Sequence, residues 1–180
     1  LMPEDRDYCN AKVAEKVVYE FTMFTFLCDE LQATYRESVT FNPGDVTFVG
    51  TGSDSSKELR RLFAFLESLL LHTRVLVDFF YKPRNPNNRR TLDDIVASDF
   101  VPDWERQRPA KDRYLGSQDR RERLDKALAH LTLARLDYDS DEKKWNVDAI
   151  RGAIESTMKQ FLECLPTERK SWFNVTDNTT

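Results

Sequence analysis

LRRLFAFLESLLLHTRVLVDFFY, residues 59–81, is the most apolar stretch of the chain. Leu59, Leu62, Phe63, Leu66, Leu69, Leu70, Leu76, Val77 and Phe80 recur at spacings of three and four. That spacing predicts a helix with one oily face. Phe65, Leu71, Val75 and Phe79 add apolar groups to the other faces. A helix apolar nearly all round belongs at the centre of a fold. Glu67, His72, Arg74 and Asp78 interrupt the run, and such charges argue against a membrane span. The stretch therefore reads as the central helix of a helical bundle.

Outward from it, the remaining pattern is also helical. A first long helix is predicted from about Pro3 to Glu37, with Val13, Val17, Phe21, Phe24, Cys28, Leu31 and Tyr35 as its inner stripe. Ser55 and Glu58 have the spacing of a capping box at the head of the central helix, and Pro83 stops it. Thr91 caps a short predicted helix over 92–98, with Asp94 in its first turn. The stretch 101–116 reads as irregular, with Trp104 and Tyr114 as anchors on the core. A further helix runs from a cap at Ser117 to about Leu136, with Leu124, Ala127, Leu128, Leu131 and Ala134 inward. Asn146 caps the last long helix, and Pro166 marks its end. Trp172 and Phe173 are expected to dock back onto the core. Between the first two long helices, Val39-Thr-Phe41 and Val46–Val49 flank a turn at Asn42-Pro-Gly-Asp45. They read as a small β-hairpin. The expected fold is all-α: a bundle of four to five helices, one domain over residues 1–180, with a polar tail from about 174.

Composition fits that class. A chain of 180 residues with 32% charged and 12% aromatic residues can bury a real core. Five glycines are too few for a loop-rich all-β fold. A net charge of −4 does not mark the whole chain as a polyanion binder. Locally, Lys82, Arg84, Arg89 and Arg90 form a basic group, and Asp137, Asp139, Asp141 and Glu142 an acidic one. The three cysteines, Cys9, Cys28 and Cys164, form no CxxC. Cys9 and Cys28 on one helix would stand about 28 Å apart, too far to bridge. Reduced thiols and the lack of a visible secretory leader give the expectation of a cytoplasmic protein.

Two histidines limit where proton chemistry can sit. His130 borders the inner stripe of the helix over 117–136, and Arg123 lies seven residues before it. Seven residues make nearly two turns, so both point the same way, about 10 Å apart along the axis. Lys126 is on the neighbouring edge. His72 is the second candidate, with Arg74 and Asp78 four apart on the central helix as a composite or supporting group. Neither histidine has a glutamate three residues before it, the spacing a carboxylate-bridged metal pair in a bundle uses, so no metal centre and no cofactor are expected.

Arg123-x6-His130 resembles the R-x4–6-H motif of the HEPN superfamily. The resemblance covers about Lys57 to Leu165. It implies an all-α domain, often a dimer, that cleaves RNA without a metal or partners an antitoxin-like protein. It also implies the roles: His130 as acid or base, Arg123 as phosphate clamp. Arg84, Arg89, Arg90 and Lys126 would line the approach of the nucleic acid. The family places a polar residue directly after the arginine, where this chain has Leu124. Beside this stands a second reading, a non-catalytic helical interaction or scaffold protein whose buried polar groups only fix helix register.

Overall fold

The structure, a computed structural model, describes residues 10–38, 55–83, 94–110 and 146–174. These are mostly helical and contain no strand, in keeping with the all-α expectation. Three long helices dominate the described residues: α1 (Ala11–Ser38), α2 (Ser55–Tyr81) and α4 (Val147–Cys164). Two single-turn helices, α3 (Trp104–Gln107) and α5 (Thr167–Lys170), accompany them, with 3-10 turns at Ala97–Asp99 and Ser171–Phe173. No described helix is long and apolar enough to cross a membrane. The expected hairpin strands and the expected helix over 117–136 lie outside the described residues.

Helix starts follow local chemistry. The first amides of a helix lack intrahelical acceptors, and a side-chain oxygen just before them supplies one. Asn146 does this for α4: its Oδ1 accepts from Ala149 N at 2.8 Å. Asn10 does the same for α1, accepting from Val13 N at 3.0 Å. α4 ends at Cys164, just before Pro166.

The chain packs as two compact units. The described part of the first comprises residues 10–22, 75–83, 94–110 and 154–174. Its core is an aromatic cluster centred on Phe161 of α4. Five rings surround that side chain. Phe79, Trp104 and Phe173 meet it edge-on at centroid distances of 5.3, 5.5 and 5.2 Å. Phe80 and Phe100 do so at 5.9 and 6.4 Å. Edge-to-face contact sets a positive ring edge against a negative ring face, adding about 0.5–1.5 kcal/mol per pair to the burial term. Leu76, Val77, Val96, Val101, Ile154 and Met158 are among the other buried side chains of this unit.

Polar groups reaching this core are tied to main-chain oxygens. The last carbonyls of a helix are orphans too. At the end of α2, Trp104 Nε1 donates to Phe80 O at 2.7 Å, and Arg108 Nη1 donates to Tyr81 O at 2.9 Å. The Arg108 guanidinium also lies 5.4 Å from the centre of the Tyr81 ring, a cation–π distance. Arg169 Nη1 donates to Phe100 O at 2.6 Å, fastening α5 beside the cluster. Tyr81 Oη and Thr157 Oγ1 share a buried hydrogen bond of 3.2 Å. Asp103, which precedes α3, has φ of 57°, a left-handed conformation that aspartate tolerates better than most residues.

The described part of the second unit comprises residues 23–38, 55–74 and 146–153. Phe24, Leu27, Cys28, Leu31, Leu66, Leu69, Leu70, Val147 and Ile150 are buried in it. Thr73 is buried as well, and its hydroxyl donates to Leu69 O at 2.8 Å, one turn back on the same helix. At the surface, Arg151 Nη1 pairs with Asp29 Oδ1 at 2.6 Å and donates to Gln32 Oε1 at 3.2 Å. Gln32 Nε2 in turn donates to Asp148 Oδ1 at 2.6 Å. Each end of the amide thus meets a partner of the proper sign, which fixes α1 and α4 against each other in one register.

Two expectations need correction. Residues 94–98 do not form the expected short α-helix. Val96 is extended, at φ −130° and ψ 154°, and only a 3-10 turn follows. The Asp99 carboxylate takes the Val96 N–H at 3.0 Å, a local bond that competes with helix. Nor is α2 enclosed on every side, because Leu71 is 50% and Val75 40% exposed.

Candidate functional site

Arg123, His130 and Lys126 lie outside the described residues, as do Arg84, Arg89 and Arg90. The residues proposed from sequence that the structure places are His72, Arg74 and Asp78, all half-buried on α2. His72 and Arg74 belong to the second unit, and Asp78 belongs to the first.

In the first unit Asp78 lines an open groove of about 350 Å³. α1 contributes Lys16, Val17 and Glu20; α2 adds Val75, Leu76 and Phe79, and Lys82 follows directly after its last residue. Asp94 and Ile95, which precede the 3-10 turn, close one side. The floor is apolar because Val17, Leu76 and Phe79 are also members of the buried core. Its charged groups are two ammoniums, Lys16 and Lys82, and three carboxylates, Glu20, Asp78 and Asp94. Lys82 Nζ bridges to Asp94 Oδ2 at 2.6 Å. Both side chains stay partly open to water, so the pair contributes no more than about 1 kcal/mol.

This pairing revises the sequence reading of both partners. Lys82 was expected in a purely basic group and Asp94 in the first turn of a helix. Instead the extended backbone before the 3-10 turn sets the Asp94 carboxylate against the lysine at the end of α2. The signal that could have marked the groove in advance was weak. Lys16 with Glu20, and Asp78 with Lys82, are opposite charges one turn apart, a spacing ordinary on any solvated helix.

The groove offers carboxylates, ammoniums and an apolar floor, and so can hold an amphipathic group. Among the described residues, no group of three or more His, Cys, Asp or Glu side chains could hold a metal ion. Cys28 is buried as a small hydrophobe, and Cys164 is half-buried near the end of α4. Comparison with known protein families, characterised proteins and solved structures finds no match to this chain.

Proposed function

We propose that this chain is a non-catalytic helical interaction protein, and that its partner is a second copy of itself. One observation supports the reading: large apolar side chains stand open at helical spacing on two long helices. On α1, Tyr19 is 55% and Phe26 48% exposed. They are seven residues apart, nearly two turns, and so share a helix face. On α2, Leu71 and Val75 are four apart and also share a face. Full burial of such a side chain is worth roughly 1.5–3 kcal/mol, so leaving it half in water forgoes about half of that. Stable interfaces of about 800 Å² per partner are built around a few anchors of this kind. A second copy is always present at matching concentration, and two-fold pairing uses each anchor twice.

Sedimentation velocity of the full chain tests this. A dimer is expected at about 10–100 μM, a range in which weak self-association registers. Phe26→Asp and Leu71→Asp should each move it to monomer with the far-UV circular dichroism unchanged. A wild-type chain that stays monomeric across that range overturns the reading.

A second reading, a HEPN-like ribonuclease acting on RNA, rests on the sequence pattern. Between Lys82 and Asp94 runs the stretch 83–93. That stretch carries Arg84, Arg89 and Arg90 against one acid, Asp93. Three guanidiniums against one carboxylate in so short a stretch favour a phosphate backbone. In this reading Lys126 adds to the approach surface, Arg123 holds the phosphate and His130 moves the proton.

A further inference from the structure

We draw no further inference here: the strongest candidate, the open groove of about 350 Å³ between Lys16 and Glu20 on α1 and Asp78 on α2 with Lys82 just after it, already matches Lys82 with its own Asp94, and nothing in the structure shows what covers it.

Discussion

The indole nitrogen of Trp104 donates to the main-chain oxygen of Phe80 at 2.7 Å, so a side chain 24 residues downstream finishes the central helix. Arg108 reaches the same end, at 2.9 Å from Tyr81 O and 3.4 Å from Phe80 O. Two of the orphan carbonyls of α2 are thereby satisfied, that of Phe80 in the interior. Trp104 is 1% exposed, so its ring and its hydrogen bond are both interior.

Trp104→Phe separates those two contributions. It keeps an aromatic ring in the cluster and removes the donor. The Phe80 carbonyl then retains only the long Arg108 contact. A loss of about 1–2 kcal/mol is expected, the cost of leaving one buried acceptor poorly paired. Urea unfolding followed by far-UV circular dichroism would measure it. Because Arg108 serves the same helix end, Arg108→Ala and Trp104→Phe together should not add, and a double-mutant cycle would show the coupling. Simple additivity would mean that the two donors act independently.

Phe161 should be the most sensitive position of the first unit. Five rings use it as their common neighbour. Phe161→Ala leaves a cavity that five aromatic side chains cannot fill without giving up their own contacts, and about 3–5 kcal/mol should be lost. Phe161→Leu keeps much of the volume and forfeits only the edge-to-face geometry. It should cost about 1–3 kcal/mol. Thermal unfolding of both variants would rank them, and near-UV circular dichroism should lose aromatic fine structure in each. Equal costs for the two would show that volume is irrelevant there.

The inner stripe of α2 was legible because its cause is local. Residues three and four apart on a helix share a face whatever surrounds them, and Leu66, Leu69, Leu70, Leu76, Val77 and Phe80 are all buried. The same periodicity is silent once nearly every position is apolar. Phe79 is buried while Leu71 and Val75 stay open, and that choice is made by partners far along the chain, Phe161 and Phe100 among them. The Asn146 cap and the Pro166 stop were legible for the same local reason. Trp104 was recognisable as an anchor from its type alone. That its indole would close α2 was not, because the bond joins residues whose separation no helical or strand period encodes. The candidate site divides in the same way. Asp78 came from the sequence, whereas its neighbours Lys16, Glu20 and Asp94 are brought to it by packing. Arg123 and His130 lie outside the described residues, so their shared face rests on helical spacing alone.

Asn146→Ala tests how far the α4 start depends on its cap. The Asn146 side chain accepts from Ala149 N, and its carbonyl accepts from Ile150 N at 3.1 Å. Only the side-chain bond is lost in the variant. The expected cost is about 1 kcal/mol, with Asn146→Ser or Asn146→Asp restoring most of it. Chemical denaturation midpoints of the three variants would settle the order. A serine variant no better than alanine would show that the asparagine acts through packing instead of capping.

The two functional readings part over one variant. Under the interaction reading, purified chain incubated with single-stranded RNA in chelator leaves it intact. His130→Ala then changes neither the RNA nor the dimer. The nuclease reading requires the opposite on the first count: cleavage without a metal, lost in both His130→Ala and Arg123→Ala. An imidazole that titrates near neutrality can take the proton of a ribose hydroxyl, and a guanidinium can hold the charge that develops on the phosphate, so each should be indispensable. The melting temperature of His130→Ala keeps the result interpretable. If cleavage disappears while the melting temperature stays within a few degrees, chemistry has been lost and not the fold. If the variant unfolds, His130→Asn or His130→Gln, which keep a polar side chain and lose the titrating group, should still separate the two cases. Intact RNA throughout, with a dimer that Phe26→Asp disrupts, would leave the interaction reading standing alone.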